Sequence, residues 1–281
     1  MTMLREMIDA LQDAYPPSLA ESWDAVGLVC GDPAEEVRKV VVCVDPDPST
    51  VDDVIACGAQ LLVAHHPLLL RGVHGVPADA PKGDRVHRLV RAGAALFCAH
   101  TNADAASPGV SDALADAIGL RVLRPLAPHD EGRTGIGRIC ELPGTEPFAD
   151  FVRRVAAALP ATEWGVRGAG DLDRPIRTVA VSGGAGDGFL EQATAAGVDA
   201  YVTADLRHHP AGEHLDRAVA GRPVPALVDV AHWASEWPWC EQAADVIRAA
   251  GGGSVEVLVS TRRTDPWTVH AASNPTGRTE A

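Results

Sequence analysis

The chain is predicted to be an α/β protein made of two related α/β halves. Three observations carry this. Apolar runs of strand length alternate with amphipathic stretches of helical period along most of the chain. A helix-stopping glycine, an apolar strand and a polar strand end recur at residues 58–65, 93–100 and 197–205, which is the helix-to-strand step of an α/β sheet used repeatedly. A polar, turn-rich join, Ala127-Pro128-His129-Asp130-Glu131-Gly132, separates an earlier set of these units from a later one.

Taken in order, Leu4, Ile8 and Leu11 share one face of a first helix, which Tyr15-Pro16-Pro17 stops. Residues 21–28 (ESWDAVGL) read as an irregular loop with an acidic-aromatic core. A β-branched strand over 40–44 closes at Asp45-Pro46, and Ser49 or Thr50 caps a helix that Gly58 ends. The run 61–64 is too short for a helix and ends in His65-His66-Pro67. Pro67 has no N–H to give a sheet and biases His66 to extended backbone, so the histidines stand where a strand emerges into a loop. The second half opens with a strand over 135–142 and a helix over 148–159. A loop over 168–175 and a strand over 178–182 follow. Further strands end at Asp205 and Val230, a helix runs to Arg248, and a strand covers 255–259. The expected organisation is a first half over 1–126, a second over 127–270, and a polar tail over 271–281 expected to be mobile.

Composition narrows the function classes. With 281 residues and 46% hydrophobic content the chain can bury a large core. A net charge of −14 argues against a broad electrostatic grip on nucleic acid or anionic lipid. The six cysteines are scattered without a CxxC pair, as expected of free thiols in a reducing cytoplasm. Residues 1–10 mix charges into an amphipathic helix, unlike a signal peptide, and no window is apolar enough to span a membrane.

Ligands in open α/β sheets bind at the carboxyl ends of strands, and the polar residues of this chain gather there. His65 and His66 end one strand, and His100-Thr101-Asn102-Ala103-Asp104 leaves another. His232 and Glu236, spaced i,i+4 in the first turn of a helix, follow a third. Consecutive strand residues point to opposite faces. Adjacent histidines are therefore expected to serve two neighbouring metals, or a metal and a substrate, unless the backbone turns there. Residues 181–188 (VSGGAGDG) offer Gly183, Gly184 and Gly186 as backbone able to approach a phosphate; a tight structural turn is the equal alternative. His208 and His209 of TADLRHHP are candidates for ligation or proton transfer. Each motif has a plain structural counterpart, a capping acid or an exposed loop histidine. Together, His65, His66, Asp104, His232 and Glu236 supply mixed nitrogen and oxygen donors suited to Zn, Mn, Fe, Co or Ni. Five donors exceed one tetrahedral ion with an open position and suit two divalent ions per subunit.

The blocks AHHPLLL, AHTNAD, SGGAGDGF, TADLRHHP, DVAHWASE and TDPWTVH, in this order, with SWDAVGL before them, resemble the signatures of one family. It is the family of GTP cyclohydrolase I type-two homologues, also called NGG-one-interacting-factor-three-like dinuclear metal centre proteins. Ala25 stands where that family commonly has Asn, and Ala204 where it commonly has Gly. The resemblance implies two α/β halves packed around a two-metal site and a homohexameric toroid with its sites facing inward. It also implies that His65, His66, Asp104, His232 and Glu236 are the metal ligands. The function expected on this basis is a metal-dependent hydrolase acting on a small molecule, with a nucleotide as candidate and opening of the GTP purine ring as the named family activity. The alternative is a non-catalytic metal-binding scaffold or a metal storage and delivery protein.

Overall fold

The computed structural model describes residues 1–129, 132–221 and 223–272. In chain order the elements are α1 (Leu4–Ala14), β1 (Gly27–Cys30), β2 (Lys39–Cys43), α2 (Pro48–Cys57), β3 (Leu61–Ala64), α3 (Pro81–Arg91) and β4 (Ala95–Cys98). There follow α4 (Thr101–Ala105), α5 (Val110–Ile118), β5 (Arg121–Pro128), β6 (Gly135–Pro147), α6 (Phe148–Ala158), β7 (Val166–Ala169), β8 (Pro175–Ala185) and α7 (Leu190–Ala195). The series closes with β9 (Ala200–Ala204), α8 (His208–Val219), β10 (Ala226–Val230), α9 (His232–Gly251) and β11 (Glu256–Val259).

Among the described residues the strands form two sheets, in the orders β1-β4-β3-β2-β11 and β5-β6-β8-β9-β10-β7. In the first, β4, β3, β2 and β11 run parallel and β1 is antiparallel at the edge. In the second, β8, β9 and β10 run parallel, with antiparallel β5, β6 and β7 around them. β5 crosses the expected division at residue 126 and lies in the second sheet, and β11, from the expected second half, pairs with β2 in the first.

The parallel strands read as unbroken apolar runs because both of their faces are covered. In β2, Val40 and Val42 face a core shared by both sheets, while Val41 and Cys43 face a separate cluster with Val51 and Val54 of α2 and Leu89 of α3. The shared core also holds Val179, Val181, Val202 and Val228 of the second sheet. Helices α1 and α5 both pack against α9 there, and α9 touches β2, β8 and β11. Trp239, Cys240, Ala243, Ala244 and Ile247 of α9 are buried. One helix thus serves both sheets, and its first turn opens at the strand ends.

Two local expectations are corrected. Residues 27 and 28, read as loop, begin β1, whose Gly27 and Leu28 pair with Cys98 and Phe97 of β4. The cap of α2 is Asp47, which accepts from the Thr50 amide, because Pro48 occupies the first helical position and needs no partner there. The expected tail falls on residues 273–281, outside the described residues, apart from Ala271 and Ala272. Among the described residues no helix is long and apolar enough to cross a membrane.

Candidate metal centre

Three strand ends converge. Strand β3 stops at Ala64 and the backbone bends at His65 and His66, whose amides still donate to Cys43 O (3.1 Å) and Val44 O (2.9 Å) at the end of β2. The bend overturns the opposite-facing expectation. Both rings turn to one side, with centroids 5.1 Å apart. Strand β4 delivers His100 as the residue before α4, and Asp104 lies one turn on. Strand β10 delivers His232 as the first residue of α9, with Glu236 one turn later.

The four rings are oriented alike. His65 Nδ1 donates to Ala99 O (2.8 Å), His66 Nδ1 to Asp45 Oδ1 (2.7 Å), His100 Nδ1 to Asp24 Oδ1 (2.8 Å) and His232 Nδ1 to Asp205 Oδ2 (2.8 Å). A carbonyl or carboxylate oxygen can only accept, so each Nδ1 carries the hydrogen. Each neutral ring then presents its Nε2 lone pair, and a backbone or carboxylate partner on the far nitrogen is the usual way a protein fixes a metal-binding imidazole. Asp24 also accepts from the Thr101 amide (3.0 Å) and hydroxyl. Although burial pushes it up, the bonds from His100 and Thr101 hold Asp24 well below the usual carboxylate range. Asp205 sits at φ 55, a left-handed conformation costly for a residue other than glycine. In that conformation its carboxylate meets His232 Nδ1, and the hydrogen bond lowers the Asp205 pKa.

The Nε2 atoms converge on each other and on buried carboxylates. His66 Nε2 and His232 Nε2 are 3.3 Å apart. Glu236 Oε1 lies 3.0 Å from His232 Nε2 and 3.5 Å from His65 Nε2, while Oε2 lies 3.0 Å from His66 Nε2. Asp104 Oδ1 is 3.8 Å from His65 Nε2. Two of these groupings have the spacing of metal donors, His65, His66 and His100, and His66, His232 and Glu236. The buried atoms His65 Nε2 and Glu236 Oε2 make no hydrogen bond among the described residues, although a donor or acceptor stands close by. Lone pairs aimed at a common point repel one another, and buried polar atoms without partners are costly. A cation among them would answer both, so the donor set fits divalent metal.

Electrostatics follow from this crowding when no cation is present. Burial lowers the His66 pKa, but Glu236 and Asp45 raise it, to about 10. Glu236 is the largest influence lifting His232 to about 11. His65 is also raised, Glu236 and Asp104 prevailing over burial. Burial pushes Asp104 up. Burial pushes Glu236 up as well, but the three imidazoles hold it well below the carboxylate range.

Two clefts flank the cluster. One, of about 410 Å³, reaches Trp23, His100, Asp104, Gly184, Phe189 and Glu236. The other, of about 400 Å³, reaches Asp45, His66, Trp164, Asp205, Asp265 and Trp267. His232 lines both.

The glycine-rich stretch meets the cluster differently from a phosphate cradle. Gly183 and Gly184 lie within β8, at a shift of register against β9 between Val181 and Ala185. Gly184 has φ 66, and a Cβ there would stand 2.5 Å from Glu236 Oε1 and 3.2 Å from His232 Nε2. Gly183 N donates to Ser111 Oγ, Gly184 N to Ser235 Oγ and Gly186 N to Ala204 O, so these amides are engaged within the protein. The glycines let a bulged strand approach the donors closely. His208 and His209 open α8, exposed and packed against each other with centroids 5.1 Å apart, and line neither cleft. Sequence reasoning singled out His100 only as part of a motif, and missed the orienting roles of Asp24, Asp45 and Asp205. Asp24 lay inside SWDAVGL, which was the available signal.

Comparison with known proteins gives a consistent picture. The family model described as Duf34/NIF3 (NGG1p interacting factor 3) matches residues 2–266. A protein of Streptomyces coelicolor named GTP cyclohydrolase 1 type 2 homolog is 52% identical, over 98% of this chain and 97% of that protein. One of the same name from Mycobacterium tuberculosis is 41% identical over 385 aligned positions, with 99% of each covered, so it carries residues without a counterpart here. Among solved structures, a Bacillus cereus protein related to NIF3 superposes with a TM-score of 0.84 at 22% identity, covering 95% of this chain and 99% of that one. A hypothetical protein of Staphylococcus aureus gives 0.84 at 26%, with the same coverage.

Proposed function

We propose, from the premise that the chain belongs to the Duf34/NIF3 family, that it is a hydrolase dependent on two divalent metal ions. The observation that carries the reading is the set of four imidazoles, each tied at Nδ1 to an oxygen, with their Nε2 atoms gathered around Glu236. His65, His66, Asp104, His232 and Glu236 would hold the metal, with His100 a further nitrogen donor to one of the two groupings. When bound, such ions polarise an electrophile and acidify water near neutral pH.

The residues of the chain do the rest. Asp45, Asp205, Asp24 and the Ala99 carbonyl hold the rings in one tautomer and one orientation. Ser235 and Ser111 hold the β8 bulge against Glu236. Trp23 and Phe189 wall the cleft on the Asp104 side, where a small molecule would meet the donors. The names of the relatives supply the candidate substrate, GTP, whose ring opening is hydrolysis of a cyclic amidine. The reading includes a homohexameric ring with inward-facing sites. It also places the protein in a reducing cytoplasm, which suits its six free cysteines.

The test has two parts. Metal analysis of freshly purified protein should find about two divalent ions per chain, and fewer for Asp104→Asn. Fewer than one ion per wild-type chain defeats the metal reading. Protein loaded with Zn²⁺ or Mn²⁺ should release formate from GTP. Metal-replete protein that turns over neither GTP nor other cyclic amidines would favour metal storage or delivery instead.

A further inference from the structure

The cleft on the His66 and His232 side holds one carboxyl group that the cluster does not use. Asp45 is spent on His66 and Thr264, and Asp205 on His232. Asp265 lines the same cleft, is only 8% exposed, and its Oδ2 has no hydrogen-bond partner among the described residues. The neighbouring arginines are committed elsewhere. Arg263 reaches Glu163 at 3.5 Å, and Arg167 pairs with Asp229. Leaving a buried carboxyl oxygen without a donor is costly.

Tryptophans stand on the same wall. Trp164 and Trp267 both line the cleft, with ring centroids 6.0 Å apart and planes at 33°. Trp267 is 57% exposed although it is a large apolar side chain. The protein already shows what this combination binds. The Arg167 guanidinium lies 4.1 Å over the Trp164 ring while its nitrogens pair with Asp229. That is a planar cation lying on an indole face and paired with a carboxylate at the edge of the same ring. Asp265 and Trp267 place the same two partners on one wall of the cleft, in the sequence Asp-Pro-Trp, and among the described residues no cation donates a hydrogen bond to Asp265 Oδ2.

We infer that this cleft is a binding subsite for a planar amidinium or guanidinium group, taken by Asp265 Oδ2 through its N–H edge and by Trp267 on its flat face. Charge-assisted pairing and attraction to the indole quadrupole act together on such a group. A cavity of about 400 Å³ accommodates a small ring bearing it. The subsite adjoins the donors, so a ligand anchored there would extend towards His66 and His232. The inference concerns equilibrium binding and stands apart from the hydrolase reading, since it is read without turnover.

The test is calorimetric titration of the zinc-loaded protein with benzamidine and with benzamide, its uncharged analogue. Benzamidine should bind at least about tenfold more tightly than benzamide, and Asp265→Asn should weaken benzamidine by about tenfold or more. Trp267→Leu, at an exposed position, should weaken it by about threefold or more. It also carries the test should Asp265→Asn fail to fold. Equal affinity for the two probes, or benzamidine binding unchanged by the substitutions that fold, overturns the inference.

Discussion

Changing Glu236 to Gln in metal-free protein should destabilise the fold by an amount that depends on pH. The Glu236 side chain is 4% exposed, and its oxygens stand 3.0 Å from His66 and His232 and 3.5 Å from His65. Its charge sustains the raised values of His66 and His232, about 10 and about 11. In the unfolded chain both rings titrate near about 6.5. A pKa raised on folding contributes stability that is whole below the unfolded value and is lost as pH rises through the folded one. Glu236 itself is lowered, so its contribution is present above about 4.5 and constant across the neutral and alkaline range. Near pH 6 the variant must hold protonated rings around an uncharged amide or expel their protons. Removing one partner of a buried pair costs about 3–5 kcal/mol. The wild type loses this stability progressively above about 6.5, until the folded values are passed, so the difference should be clearly smaller at about pH 9 than near pH 6. Urea unfolding of chelator-treated wild type and variant, followed by tryptophan fluorescence across this range, measures it. An equal loss near pH 6 and pH 9 would refute the assignment of Glu236 as counter-charge to the imidazoles.

The remaining expectations concern the surroundings of the donors. Asp45→Asn and Asp205→Asn should each weaken zinc affinity by about 10–100-fold in chelator competition, because the rings lose the carboxylates that orient them. Gly184→Ala should lower the metal content per chain while the circular dichroism spectrum stays native, since its Cβ would stand 2.5 Å from Glu236 Oε1 at φ 66. Arg138 is 1% exposed and pairs with Asp112 through Nε (3.0 Å) and Nη2 (2.6 Å), while also donating to Gly135 O and Gly137 O. Arg138→Met should therefore destabilise by about 3–5 kcal/mol in urea unfolding, leaving Asp112 without its cation between α5 and β6.

The parallel strands and their histidine ends were legible because the information is local. An apolar run such as Leu61–Ala64 followed by His-His-Pro carries its own period and its own stop. The i,i+4 spacing of His232 and Glu236 likewise needs only a helix to bring them 3.0 Å apart. The direction of the paired rings was not legible. It depends on a bend that the amide bonds from His65 and His66 to the end of β2 impose. The orienting carboxylates were hidden for the same reason. Asp24, Asp45 and Asp205 reach histidines 76, 21 and 27 residues away, and no short motif encodes those distances. The glycine-rich stretch could be read as cradle or turn until its amides were seen bonded to Ser111, Ser235 and Ala204.

The pairing of β11 with β2 sets an order of events on the ribosome. Until Glu256–Val259 emerges, β2 is an uncovered edge carrying Val40, Val41 and Val42, the kind of strand that recruits other chains. The donors are divided in the same way. His65, His66, His100 and Asp104 are synthesised early, while His232 and Glu236 follow only with α9. A nascent or truncated chain therefore exposes a sticky strand and an incomplete set of ligands together. Synthesis of α9 and β11 covers the β2 edge and brings His232 and Glu236 to the histidines of the earlier strands in one stroke.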